Sequence, residues 1–328
     1  MNKTETTKGK GGCLSAALVL LTLAVSALVL LPLLWILPQR QSADTEAAAA
    51  AETLCETVTP APQADEAPPP SVIPVYDPSM TGDEGWVTAN GKLYYLQGGG
   101  PVTGLRLIDG KYCFFDEHGI KAEAVGVDVS TYNEEIDWES VRAQGIEFAI
   151  IRVGGRGWTS GNIYGDLRCE AYLHGAQRAG LRIGVYFYST AVNEAEAAAE
   201  AEEVLRVLNG RPLALPVYCD TERSGEFPDG RADGLSAAER TRVVQSFCRR
   251  IENAGYRAGV YSGRYFFMSS LDLEALSRYE LWMASYTSDG MPPFFGRSYR
   301  IWQFTDRGNV DGISGGVDMN VMFSEIVG

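Results

Sequence analysis

With 328 residues the chain is too long for one average domain, and 42 acidic against 28 basic side chains leave a net charge of −14. The charge is +3 over residues 1–40, −9 over 41–85, +1 over 86–121 and −9 over 122–328. No region holds the cluster of cations that displaces counterions from nucleic acid, which argues against a nucleic-acid partner. Six scattered cysteines without a Cys-x-x-Cys spacing and only two histidines, His118 and His174, leave little from which to build a metal centre or a Ser-His-Asp triad, and no cofactor is expected.

Residues 13–37 form an apolar run of 25 positions without a charge. At about 1.5 Å of rise per residue such a helix exceeds the roughly 30 Å hydrocarbon core of a bilayer, and it is too long for the apolar region of a cleaved signal peptide. We read it as an uncleaved transmembrane helix. Lys3, Lys8 and Lys10 precede it and only Arg40 follows closely, so residues 1–12 are expected in the cytoplasm and the rest beyond the plasma membrane. Between 41 and 85 lie seven of the fifteen prolines and nine acids with no Lys or Arg. Such a segment cannot bury enough apolar surface to offset its ordering entropy, so 38–84 is expected to be a disordered, extended tether.

A short repeat occupies 85–121. Gly-Trp-Val-Thr-Ala-Asn-Gly-Lys-Leu-Tyr-Tyr at 85–95 aligns, 19 positions on, with Gly-Leu-Arg-Leu-Ile-Asp-Gly-Lys-Tyr-Cys-Phe at 104–114. Asn90-Gly91 and Asp109-Gly110 tolerate positive φ between apolar or aromatic runs, and each unit predicts one β-hairpin. The pair resembles the choline-binding and related cell-wall-binding repeats of Gram-positive surface proteins, with Leu105 where that pattern has a Trp. The resemblance implies a grip on cell-wall components. The other reading is a hairpin spacer packed on the next domain, because two units bury little alone.

From residue 122 onward strands and helices alternate. Apolar, β-rich runs lie at 125–129, 148–153, 183–188, 213–219, 258–261, 281–286, 299–304 and 317–321. Helical patterns at 137–144, 166–179, 194–208 and 236–254 are each followed by a glycine suited to a C-cap. Eight strands and about five helices over 122–328 predict an α/β fold, an irregular (β/α) barrel whose later crossovers are shortened; an open doubly wound sheet is the competing topology. The helix carrying Glu194, Glu196, Glu200, Glu202 and Glu203 reads as a solvated face, and Gly-Gly-Arg-Gly at 154–157 as a mobile loop beside the barrel mouth.

Asp220-Thr221-Glu222 closes the apolar run at 213–219. Strand residues i and i+2 face the same way, so both acids are expected at one site. In a barrel the C-terminal strand ends converge on one mouth, where Asp128 on strand one and Asp318 on strand eight should join them. Tyr186 and Tyr188 on strand three, Tyr261 on five, Trp282 and Tyr286 on six and Trp302 on seven share that rim. Strand alternation makes Tyr186 and Tyr261 candidates for the core and Trp282 and Trp302 candidates for sugar stacking. Two carboxyls whose surroundings separate their pKa values are the equipment for hydrolysing a glycosidic bond.

Further motifs fall in order: Gly-Val-Asp-Val-Ser at 126–130, Ile-Asp-Trp at 136–138, Phe-Ala-Ile-Ile-Arg at 148–152, Gly-Val-Tyr-Phe-Tyr at 184–188, Tyr-Cys-Asp-Thr-Glu at 218–222, Leu-Trp-Met-Ala at 281–284, Ile-Trp-Gln-Phe at 301–304 and Gly-Val-Asp-Met-Asn at 316–320. With these, residues 124–328 resemble the glycoside hydrolase family 25 lysozymes, the Chalaropsis-type N-acetylmuramidases. The resemblance implies cleavage of the β-1,4 bond between N-acetylmuramic acid and N-acetylglucosamine in peptidoglycan. Carried over, Glu222 is the general acid and base, Asp220 its carboxylate partner, and Asp128 and Asp318 supporting acids; Tyr188, Trp282, Tyr286, Trp302 and Gln303 are expected to contact the glycan. Glu222 is expected to keep its proton through repulsion from an ionised Asp220 and partial desolvation. Direct attack by Asp220 and participation of the sugar's 2-acetamido group both stay open, and we favour the second. A barrel that keeps its groove only to bind peptidoglycan is the alternative.

Overall fold

The computed structural model describes residues 84–224 and 230–327. The expected cytoplasmic tail, the anchor at 13–37 and the linker as far as 83 lie outside the described residues. Among the described residues no helix is long and apolar enough to cross a membrane.

The repeat region forms β1 (Gly85–Ala89), β2 (Lys92–Gln97), β3 (Gly100–Pro101), β4 (Gly104–Ile108) and β5 (Lys111–Phe115). Ala89 pairs with Lys92 and Ile108 with Lys111 across two-residue turns. Asn90, Gly91, Asp109 and Gly110 have φ of 51, 74, 49 and 76°, the geometry whose twist matches the flanking strands. The second hairpin packs on the domain that follows. Tyr112 donates its N–H to Gln144 O at 2.8 Å and its hydroxyl to Asn309 O at 2.7 Å, and the buried Phe114 ring meets Trp302 edge-on at 5.7 Å.

Eight strands then close a barrel: β6 (Ala124–Val129), β7 (Ile146–Arg156), β9 (Arg182–Tyr188), β10 (Val217–Asp220), β11 (Ala258–Gly263), β12 (Glu280–Ala284), β13 (Tyr299–Gly308) and β14 (Val317–Val327), with β14 returning to β6. The short β8 (Ile163–Gly165) folds back on the end of β7. Closure decides against the open sheet. Neighbours from β6 through β13 run parallel, whereas β14 is antiparallel to both β13 and β6. The fourth strand starts at Val217 rather than 213, because Pro216 has no N–H to give the ladder.

Five helices cover the outside: α1 (Trp138–Ala143), α2 (Cys169–Arg178), α3 (Glu194–Leu208), α4 (Ala237–Asn253) and α5 (Arg264–Ser270). Asp137 and Asn193 cap α1 and α3, and Ser236 with Glu239 forms a capping box on α4. Gly180 and Gly255, with φ of 76 and 89°, follow α2 and α4 as C-cap glycines do. The main core lies between helices and barrel wall. Inside the barrel, Phe148, Ile150, Tyr218, Trp282 and Ile301 form a second apolar layer. Glycines make room for these rings: a Cβ at Gly126 would lie 2.5 Å from Phe148, and one at Gly259 2.4 Å from Tyr218.

Two expectations are corrected. Glu200 on α3 is not on a solvated face; it is fully buried and accepts from Arg156 Nε and Ser189 Oγ, each at 2.6 Å. Arg156 itself belongs to β7, is 7% exposed and also donates to Gly161 O and Glu196 O. The glycine-rich stretch is therefore pinned to α3 by a buried ion pair. The four described cysteines, Cys113, Cys169, Cys219 and Cys248, are buried and free.

Candidate active site

A cleft of about 660 Å³ opens at the C-terminal end of the parallel strands, and Asp128, Asp220, Glu222 and Asp318 all line it. Asp220 ends β10, yet the ladder continues one step: Thr221 N–H donates to Tyr261 O at 3.1 Å and Ser262 Oγ to Thr221 O at 2.6 Å. Thr221 is itself buried with the Arg240 guanidinium at its hydroxyl, so alternation sends the flanking carboxyls into the cleft. Asp318 arrives by a different route from the one expected. It is the second residue of β14, and because that strand is antiparallel its beginning reaches the mouth, where Asp318 stands opposite Asp128 in the ladder.

Asp128 is 4% exposed, and its Oδ2 accepts from Gln303 Nε2 and Asn320 Nδ2, both at 2.8 Å. Asp318 shares a hydrogen bond with Asp128. The far ends of the two amides are held as well. Gln303 Oε1 accepts from the hydroxyls of Tyr261 and Tyr286 at 3.0 Å, and Asn320 Oδ1 accepts from Trp282 Nε1 at 2.7 Å. Asp220 contrasts with this: it is also 4% exposed, but its Oδ1 has no hydrogen-bond partner among the described residues. The nearest relief is Arg152, whose Nε donates to Asp166 at 2.8 Å and whose guanidinium lies over the Tyr132 ring at 5.1 Å.

Burial pushes all four carboxyls upward. Asp128 rises to about 6, held down by its amide donors, and Glu222 to about 7 through burial and then the charge of Asp128. Asp318 rises to about 8 through burial and then Asp128. Asp220 goes well above the carboxylate range through burial, then Glu222 and Asp128, with Arg152 opposing. Asp220 and Glu222 repel one another, as expected, and Asp128 adds a second repelling carboxylate that the sequence reading did not include.

These shifts make the site costly at alkaline pH. The folded value of Asp318 lies above its unfolded value of 3.8, so its contribution to stability is present in full below about pH 4 and lost as pH rises through about 8. One unit corresponds to about 1.4 kcal/mol; solvent and sharing with Asp128 cut the full shift to about 2 kcal/mol. Asp318→Asn is therefore expected to raise the melting temperature by about 5 °C at pH 9 and hardly at all at pH 4. Thermal unfolding at the two pH values checks this, and an equal change at both contradicts it.

The remaining site residues divide. Tyr188, Tyr286 and Gln303 line the cleft. Trp282 does too, but at 1% exposure, enclosed by Tyr186, Tyr218 and Tyr261, it is the floor rather than a stacking face. Trp302 is corrected outright. It is fully buried on the opposite face of β13 from Gln303, against Phe114 and Phe304, with its Nε1 donating to Ser285 O at 2.7 Å. Tyr186 and Tyr261, weighed as core residues, pack against the inner apolar layer and also line the cleft. Arg152, Tyr132, Trp158 and Tyr164 also line it and were not singled out. Asn320 was missed as well, although it lies two residues beyond Asp318 and therefore on the same strand face.

A closed β/α barrel whose mouth gathers four carboxyls among tyrosines, Asp128 and Asp220 buried and Glu222 and Asp318 partly so, is the layout of a glycoside hydrolase. Residues 127–313 match the sequence model of glycosyl hydrolases family 25, and the chain belongs to that family. It is 31% identical over 202 residues to YegX, an uncharacterised protein of Escherichia coli strain K12, covering 60% of this chain and 68% of YegX. It is 28% identical over 200 residues to the autolytic lysozyme of Clostridium acetobutylicum, covering 61% of this chain and 56% of that one. The fold is shared with the modular autolysin LytC of Streptococcus pneumoniae, with a TM-score of 0.56, 24% identity, and coverage of 73% of this chain and 58% of LytC. The chain thus spans little more than half the length of the last two.

Proposed function

We propose that this chain is a membrane-anchored peptidoglycan hydrolase cleaving the β-1,4 bond between N-acetylmuramic acid and N-acetylglucosamine, with Glu222 as general acid and base. The observation that carries the reading is the convergence of Asp128, Asp220, Glu222 and Asp318 on one tyrosine-lined cleft. Similarity to the autolytic lysozyme of Clostridium acetobutylicum and to lysozyme M1 of Streptomyces globisporus supports peptidoglycan as the substrate.

Held near 7, Glu222 is about half protonated at neutral pH, poised both to protonate the leaving oxygen and later to remove a proton from water. Asp220 Oδ1, buried and without a protein partner, suits acceptance of the N–H of the sugar's 2-acetamido group. That bond and Arg152 together would favour the Asp220 carboxylate as positive charge develops at the anomeric carbon, the acetamido oxygen making the attack. Tyr188 and Tyr286 offer ring faces to the glycan at the mouth.

The uncharged run at 13–37 and the acidic linker support an exterior position at the plasma membrane, N-terminus in the cytoplasm. The hairpins at 85–121 would lie toward the wall.

Mass analysis of what the full chain releases from purified peptidoglycan tests the reading. Soluble fragments with a new reducing end on N-acetylmuramic acid are expected. Reducing ends on N-acetylglucosamine would assign the wrong bond, and binding without release would favour the inactive barrel.

A further inference from the structure

The orientation of the Asn320 amide at Asp128 is fixed by chemistry. An indole N–H only donates, so Asn320 must turn Oδ1 toward Trp282 Nε1 and Nδ2 toward Asp128. Gln303 has two tyrosine hydroxyls on Oε1, which leaves Nε2 for the same Asp128 oxygen. Two N–H donors at 2.8 Å leave Asp128 Oδ2 no place for a proton and favour the charged form of Asp128. In the bond between Asp128 and Asp318 the acceptor is then Asp128, and the proton is held by Asp318. Asp220, with a buried oxygen and no donor on it, has no comparable support for a charge.

We propose that Gln303 and Asn320 are positioning residues that fix Asp128 as the resident anion of the cluster, and that this anion holds the proton on Glu222 until the leaving oxygen takes it. The proposal rests on the reading of Glu222 as the acid. It moves Gln303 from glycan contact to support, since both ends of its amide are already engaged. The other groups facing this centre are Arg152 from β7, Tyr186 and Tyr188 from β9, Asp220 from β10, Tyr261 from β11, Tyr286 beyond β12, and Asp306 and Asp318 from β13 and β14. Two cations line the cleft, Arg152 and Arg223, the second next to Glu222 in the chain; the influence of Arg152 falls on Asp220. The tyrosines stay neutral because burial raises them all.

The test follows the Glu222 proton without needing turnover. Infrared titration of the full chain labelled with carboxyl-¹³C glutamate, with Glu222→Gln subtracted, isolates the Glu222 carboxyl. In Asp128→Asn, which keeps the shape and removes the charge, the midpoint is expected to fall by about one unit, and in Gln303→Met by about half a unit. The alkaline limb of kcat/KM on peptidoglycan should move down with it. Tyr286→Phe, at a position 54% exposed, removes one hydroxyl holding the amide and should shift the midpoint the same way by less; it decides the role of Gln303 should Gln303→Met fail to fold. An unmoved midpoint in Asp128→Asn overturns the proposal. A uniform loss of activity in Gln303→Met with the midpoint in place reduces Gln303 to a packing role and overturns it equally. If the wild-type chain titrates as described yet releases no sugar, the functional reading fails while the assignment of the resident anion to Asp128 stands.

Discussion

Glu222→Gln is expected to lower kcat on peptidoglycan by about 100- to 10,000-fold, the contribution of a positioned general acid and base. The amide matches the carboxyl in shape, and below about pH 6 it replaces a group that is largely protonated, with a value of about 7. The charge pattern of the resting cleft therefore changes little and the fold should be untouched. Substrate contacts from Tyr188 and Tyr286 remain, so KM should hold while kcat falls, the signature of an interaction realised only in the transition state. In the parent, activity should decline above about pH 7 as Glu222 loses the proton it must donate. Initial rates of reducing-end release across pH measure both. A variant retaining more than about a tenth of the parental rate would remove Glu222 from the chemistry.

The acid pair at 220 and 222 was legible because alternation along a strand is a local rule, and local rules also served the Asn-Gly and Asp-Gly turns, which adopt the positive φ that their side chains permit. What the sequence withheld is decided over longer distances. Barrel strands are buried on both faces, so the run Ile301 to Phe304 shows no polar alternation from which to assign a face to Trp302 or to Gln303. One misassigned parity put Trp302 at the mouth beside Gln303, although neighbours on a strand face opposite ways. The direction of β14 depends on how residues between β13 and β14 turn, which no periodicity reveals, yet it is what carries Asp318 to the cleft. Glu200 looked solvent-facing because its partner Arg156 lies 44 positions away. The seven-residue α5 is too short to produce a helical period.

Phe114→Ala tests whether the second hairpin is part of the catalytic body or a separate attachment. The ring is 1% exposed and belongs to the same core as the barrel wall, meeting Trp302 at 5.7 Å, Phe304 at 6.2 Å and Phe323 at 6.5 Å. Truncation removes the buried ring and leaves a cavity that β5 cannot close, because Tyr112 is tied to Gln144 and Asn309 on either side. The expected cost is about 3–5 kcal/mol, or a melting temperature lower by roughly 10 °C. Unfolding should stay a single transition, since hairpin and barrel share the core that is weakened. Leu107→Ala, at a position 58% exposed on the adjoining strand, should change stability by less than about 0.5 kcal/mol. Denaturant unfolding followed by tryptophan fluorescence distinguishes the cases. An early, separate transition with the main one unmoved would mean the hairpins fold independently. A single transition shifted this far makes them the cover of the barrel wall, so that whatever the hairpins contact is held at a fixed position relative to Glu222.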